Sequence, residues 1–441
     1  MKWGRMLAAS VLLAGLAAAL WWSNRQEKAK EGKPAADAPP KILALGADTI
    51  QQIEIRHRGE DPITLKLNGS QWEMTSPKLP VDSAAVSAIT SAAASVDADR
   101  VVDPNVSDLK AYGLAPASLE VDFATKNGKT SKLLIGDNTP AGSAVYAKLD
   151  GDPRLFTMGV YSKTAFDKEA KDLRDKRLLP FTQAKLSRIE VTAQKQTYEF
   201  VKKGESEWQI VKPKAMRADS TQTDDLVRQL NNAQMDLSGV QDDKKNAAAF
   251  ASAPVLAIAK VTDQDGTKTL EIRKAKDDYY AKSSAAAGVY KVAKTVGDAL
   301  DKPVDAYRNK KIFDFGFSDP THIEVTDGGK TSTFDKSGDT WMSGGKKMDN
   351  TSVQAFADRL RDLSATKFVE SGFTTPVVTV TVVSNQGKLR EKVEIAAAPG
   401  GNFLARRDGD ASFYELEAGV VKDLRQAVGN VREAQPETKK K

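Results

Sequence analysis

Cysteine is absent from the 441-residue chain, and histidine occurs only twice, at His57 and His322. Without thiols there is no disulfide, no thiolate-held zinc or iron–sulfur cluster and no cysteine nucleophile. Two histidines leave little room for imidazole chemistry. An excess of one charge is missing too: 65 basic residues stand against 59 acidic ones, intermixed along the chain, for a net charge of +6. That is a slight surplus rather than a nucleic-acid-binding stripe. The chain is too polar for a polytopic membrane protein and has one long hydrophobic run at most. What is present is 40% hydrophobic and 28% charged residues, which suits a folded chain with several cores. These absences favour a scaffold over an enzyme, with no cofactor, no metal site and no catalytic residue expected.

Residues 6–22 carry no charge, with Lys2 and Arg5 before them and Arg25, Lys28 and Lys30 after. As a helix rising about 1.5 Å per residue this run spans roughly 26 Å, close to a hydrocarbon core of about 30 Å. Trp3, Trp21 and Trp22 extend it into both interfaces. Residues 1–23 are expected to be a single inner-membrane anchor, N-terminus inside and body outside. A cleaved signal peptide ending in Ala17-Ala18-Ala19 is the competing expectation. Residues 24–40 are polar and Pro/Ala-rich and read as a disordered tether. Residues 433–441, ending in three lysines, read as a basic tail.

Between tether and tail the chain repeats itself about every 135 residues. Ile53-Glu54-Ile55 recurs as Ile189-Glu190-Val191 and Ile323-Glu324-Val325, each an alternating segment that predicts a half-buried strand. Trp72, Trp208 and Trp341 follow, predicted to close a second or third strand. Asp82, Asp219 and Asp349 then precede helical spacings: Val86, Ile89 and Val96; Leu226 and Leu230; Val353, Phe356, Leu360 and Leu363. Pro116, Pro254 and Pro376 introduce strands that end at Gly128, Gly266 and Gly387, and Ile135, Ile272 and Ile395 mark the strands after them. Tyr146-Ala147-Lys148, Tyr280-Ala281-Lys282 and Leu404-Ala405-Arg406 align, with Phe156, Tyr290 and Tyr414 each ten residues after the first position. A short helix is expected near Val160, Val296 and Val420. Basic joints, Leu173 to Phe181 and Tyr307 to Phe315, end the first two copies, and the third is expected to lack one as a terminal repeat. The predicted units are residues 41–181, 182–315 and 316–432. Each is an α+β arrangement of antiparallel sheet covered by helices, preceded by the transmembrane segment.

The repeated aspartates stand where helix N-caps belong, and Asp219 with Gln222 fits a capping box. Gly128-Lys129-Thr130 and Gly329-Lys330-Thr331 lack the earlier glycine of a P-loop and sit at predicted hairpin turns. Neither histidine has a second histidine nearby, and there is no G-x-S-x-G elbow. Lys148, Lys282 and Arg406 remain as candidate interaction residues, one cation per unit beside an aromatic strand, able to meet an anionic group. The competing expectation is that they guard edge strands against aggregation.

The Ile-Glu-Ile strand, the tryptophan, the Tyr-Ala-Lys segment and the Leu173-Arg174-Asp175-Lys176-Arg177-Leu178-Leu179-Pro180-Phe181 joint together resemble the bacterial domain-of-unknown-function family catalogued as 4340. The resemblance is clearest over residues 41–315. It implies a membrane-anchored, extracytoplasmic protein found beside gliding-motility-type ABC transporters, with permease or auxiliary subunits as partners and no catalytic motif. The leading expectation is a non-enzymatic accessory or scaffold subunit whose three units form a rod. The alternatives are a cell-envelope protein holding polysaccharide or lipid headgroups, and a carboxylate-dependent hydrolase.

Overall fold

Short alternating segments bounded by turn residues dominate the chain, and they fold as antiparallel strands. A computed structural model describes residues 40–204, 207–238 and 242–435. The expected anchor, the tether up to residue 39 and the tail from residue 436 lie outside the described residues. No described helix is long and apolar enough to cross a membrane. Eight α-helices and four antiparallel sheets make up an α+β fold among the described residues. The chain divides at Lys176 into two compact bodies. The first carries a nine-stranded sheet, and the second carries an eight-stranded and a nine-stranded one.

One strand order serves all three large sheets. In the first it runs Lys78–Leu79, Gln71–Ser76, Ile63–Asn68, Ile50–His57, Leu119–Thr125, Thr130–Asn138, Ala144–Leu149, Leu155–Gly159 and Arg100–Asp103. Equivalent positions pair in equivalent register. Ile53 lies opposite Phe123, Ile189 opposite Val261 and Ile323 opposite Val382. Ala147 faces Phe156, Ala281 faces Tyr290 and Ala405 faces Tyr414, which accounts for the constant spacing of these residues in sequence. Gly128, Gly266 and Gly387 all have positive φ, between +78° and +110°, as the turns they occupy require. The tryptophans sit near the start of the third strand rather than at its end, because a tight turn at Gly69 or Gly338 immediately precedes Trp72 or Trp341.

Three apolar cores line the helix-covered faces, running from Ile42 to Leu173, from Leu178 to Tyr307 and from Ile312 to Leu424. The helices Ser83–Ala93, Ser220–Asn231 and Asn350–Asp362 bury the apolar stripes read from spacing. Val96 is an exception, since its helix ends at Ala93 and Val96 enters a short strand against Leu43. All three aspartates cap. Asp82 accepts from the Ala84 N–H at 2.9 Å, Asp219 from Gln222 at 3.1 Å and Asp349 from Ser352 at 2.8 Å. Asp219→Ala and Asp349→Ala are each expected to cost about 1 kcal/mol of unfolding free energy, measured by urea denaturation.

The joints divide between neighbouring units. Their first halves close the unit behind them: the backbone N–H groups of Asp82, Asp219 and Asp349 donate to the carbonyls of Leu173, Tyr307 and Arg432 at 2.9, 2.7 and 2.9 Å. Bridges Val81–Arg174, Ala218–Arg308 and Met348–Glu433 follow. The second halves open the unit ahead. Arg177 bridges Gln234 and Lys311 bridges Ser364, while Leu178 and Ile312 donate to the carbonyls just past the cover helix. Lys41 pairs with Asp97 in the same way. Lys41-Ile42-Leu43-Ala44-Leu45, Arg177-Leu178-Leu179-Pro180-Phe181 and Lys311-Ile312-Phe313-Asp314-Phe315 are thus one opening strand in three copies, and its apolar positions are buried each time. Phe181 and Phe315 therefore pack in the second and third cores. The third copy does keep the closing half of the joint, at Arg432 and Glu433. Glu433 and Ala434, at the start of the expected tail, pair with the backbone of Met348 and Lys347.

The second unit carries a helix that the periodicity does not announce, Asp243–Ser252. It lies along the sheet edge that Arg100–Asp103 and Lys367–Val369 occupy as strands in the other units. Phe250 anchors it beneath Arg273, whose guanidinium is 4.6 Å from the ring centre.

Candidate functional site

The side chain after an inward-facing strand residue points to the other face of the sheet. Ala147, Ala281 and Ala405 are fully buried, so Lys148, Lys282 and Arg406 occupy the outer faces. Their strands are interior, flanked on both sides, and not the edge strands of the aggregation argument. The three cations have different surroundings. The Lys148 ammonium donates to the carbonyls of Leu149 and Asp152 and so clamps its own hairpin. Lys282 stands opposite Glu271 in register and makes no ion pair among the described residues. Arg406 pairs with Glu394, stacks 4.6 Å from the Phe373 ring centre, and lines a polar cleft of about 450 Å³ with Lys392, Asp408 and Asp410.

Both histidines lie against carboxylates, and His57 Nδ1 is also 3.9 Å from Glu60. His57 Nε2 lies 2.8 Å from Asp167 and His322 Nδ1 lies 2.7 Å from Asp335. The two lysines of the P-loop-like triplets lie at hairpins: Lys129 is in the turn between Leu119–Thr125 and Thr130–Asn138, and Lys330 opens Lys330–Ser337. No group of three or more potential metal ligands occurs among the described residues.

A polar cluster joins the second and third units; sequence spacing does not reveal it, because its members are far apart in the chain. Arg308 is 4% exposed. It donates to Asp305 at 2.9 Å and to Ser412 at 2.6 Å, and its guanidinium lies 3.5 Å from the Phe368 ring centre. Arg217 reaches across to the Lys311 carbonyl at 2.9 Å, the Tyr414 hydroxyl at 3.2 Å and Asp314. Arg407 meets Asp314 and Glu391, both at 3.0 Å, and the Asp314 N–H donates to Glu391 at 2.7 Å. Lys214 pairs with Glu370 at 2.5 Å on the rim.

Burial pushes the Glu391 carboxyl above its ordinary value of 4.5, against the lowering effect of the Asp314 N–H and Arg407. Burial likewise drives the Tyr414 phenol up to about 12, so at neutral pH it remains a donor. A raised carboxyl binds its proton more tightly folded than unfolded. Its contribution is complete below about 4.5 and is lost as pH rises through the folded value. Glu391→Gln is expected to flatten this fall in unfolding free energy, measured by urea denaturation from pH 4 to 7.

A family profile described as a domain of unknown function (DUF4340) matches residues 72–254 and again residues 208–381. The two matches begin at Trp72 and Trp208, equivalent positions 136 residues apart, and together they cover well over half of the chain. The chain belongs to the DUF4340 family. The doubled DUF4340 match follows the internal repeat, and each match runs beyond one unit because the opening strand and the cover helix of the next unit fall inside it. No curated protein and no solved structure matches the chain.

Proposed function

We propose that this DUF4340 protein is a non-enzymatic, membrane-anchored accessory subunit of a gliding-motility-type ABC transport system, with its body on the extracytoplasmic side. The observation that carries the reading is that the residues repeated from unit to unit are committed to the fold. The aspartates cap helices, the basic joints close one unit and open the next, and the aromatic residues face buried alanines across the sheet. Repetition of a folding plan three times multiplies surface, which is what a scaffold uses. The apolar run at residues 6–22 supplies the anchor in this reading, and residues 24–40 supply its tether. Permease and auxiliary subunits are the proposed partners.

Crosslinking with mass spectrometry on intact cells tests this with the native chain. Crosslinks from the body to permease or auxiliary subunits are the expected outcome, and crosslinks to envelope polymers alone contradict it. The free ammonium of Lys282 and the open cleft at Arg406 favour a second reading, in which envelope polysaccharide or lipid headgroups are held on the outer faces. Under that reading a Lys148→Gln, Lys282→Gln, Arg406→Gln variant loses retention on cell-wall or lipid preparations. Under the scaffold reading its retention is unchanged.

A further inference from the structure

The indole N–H of the shared tryptophan has a protein partner in the second unit and none among the described residues in the third. Trp208 gives its indole N–H to Asp224 at 3.3 Å, five residues past the capping Asp219. The same place in the third unit, five residues past Asp349, holds Gln354. Its amide turns away to donate to Asp358 at 3.0 Å. Trp341 is 2% exposed and its backbone N–H donates to Asn350 at 3.1 Å, while its indole N–H meets no protein acceptor among the described residues and reaches solvent. A donor at the surface without a protein partner is open to one from solution.

Trp341 lines an open cleft of about 500 Å³ together with Lys336, Asp339, Asn350, Thr351, Gln354 and Asp358. That volume lies in the usual range for small-molecule sites, about 300–1,000 Å³. Stacking is not the mode on offer, since the ring is enclosed and the Lys336 ammonium lies 5.9 Å above it. The cleft offers hydrogen bonds instead. The indole N–H and the Thr351 hydroxyl donate and the Asp339 carboxylate and the Gln354 carbonyl accept, while Asn350 is held by the Trp341 N–H and the Asp339 carbonyl, Asp358 by Gln354 and Arg361, and Lys336 by Asp319. An anion would meet the Asp339 carboxylate, and a cation would find only that one open carboxylate, since Asp358 is paired with Arg361. A neutral ligand whose adjacent groups both donate and accept suits the open groups of this lining, and vicinal hydroxyls are that chemistry.

We propose that the cleft beside Trp341 is a binding site for a neutral saccharide, with the indole N–H donating to a sugar hydroxyl. The inference goes beyond the transporter reading and stands without it. The test uses the full ¹⁵N-labelled chain in detergent micelles, following the indole ¹H–¹⁵N resonances, with Trp341→Phe to assign the one concerned. The probes are glucose, N-acetylglucosamine, maltotriose and N,N′,N″-triacetylchitotriose, with methyl phosphate and acetate as ionic controls, all titrated into the millimolar range.

A saturable shift of the Trp341 indole with at least one sugar is expected. A trisaccharide that binds several-fold better than its monomer marks a glycan chain as the source, and equal binding marks a free sugar. Gln354→Asp places a carboxylate where Asp224 stands in the second unit. It is expected to capture the indole N–H and weaken sugar binding about tenfold while leaving the other indole resonances in place. Thr351→Ala, at an exposed position, weakens binding by a smaller factor and serves if the first variant does not fold. No shift with any of the four sugars, a shift only with the ionic controls, or sugar binding unchanged in both variants overturns the proposal.

Discussion

Tyr307→Ala is expected to lower the unfolding free energy of the second body by about 3–5 kcal/mol, the range for removing a large buried aromatic side chain. Tyr307 is 1% exposed, and its ring lies 5.6 Å from Tyr198 and 5.4 Å from Phe200, centre to centre. Its hydroxyl donates to the Ala299 carbonyl at 2.7 Å, and burial pushes its phenol up to about 12, so the donor persists across the neutral range. Its backbone carbonyl receives the N–H of the helix-capping Asp219. One residue thus fills the core, ties down the end of the unit and fixes the start of its cover helix. Tyr307→Phe keeps the packing and is expected to cost only about 1 kcal/mol for the lost hydrogen bond. Urea midpoints at an unchanged m value measure both. A loss below about 1 kcal/mol for the alanine variant would show that the closing segment is not part of the core.

Arg308→Ala is expected to cost about 3 kcal/mol, from a desolvated cation–π contact worth about 2 and a hydroxyl left without its charged partner. The damage falls between units, because Arg308 closes the second unit and lies against Phe368 and Ser412 of the third. Unfolding of these two units, expected as one concerted step in the native chain, is then expected to separate into two. Hydrogen exchange followed by mass spectrometry reads this directly: amides of the third-unit strands Pro376–Ser384 and Leu389–Ala397 keep their protection while those of Val255–Asp263 lose theirs, or the reverse. Uniform loss in both sheets would contradict this role for Arg308.

Much of the unit was legible because strands and capped helices announce themselves locally. Alternation located Ile53-Glu54-Ile55 and its counterparts, and three aspartates marked three helix starts. The constant spacing from Ala147 to Phe156 was visible as a number, and the hairpin register explains it. The opening strand was harder to place. Its pairing partners lie just past the next cover helix, so position in sequence alone puts Arg177 to Phe181 at the end of a unit rather than at a beginning. Lys41 to Leu45 was hidden for the same reason, having no joint before it. The Asp243–Ser252 helix escaped because its stripe is narrow, with only Asn246 and Phe250 buried. The cluster around Arg308 brings together residues from distant strands, and no spacing rule links them.

The unit begins with a cation followed by buried apolar residues, and one comparison tests that beginning. Residues 177–441 and residues 182–441 differ only in the opening strand Arg177 to Phe181, of which Leu178, Leu179 and Phe181 are buried. The measurement is thermal unfolding of both fragments, followed by circular dichroism at equal concentration. The longer fragment is predicted to melt in a cooperative transition, and the shorter one to lose the cooperative transition of its second-unit sheet, since three core side chains are gone at about 2–5 kcal/mol each. Two fragments that melt alike would show that the strand belongs to the unit before it.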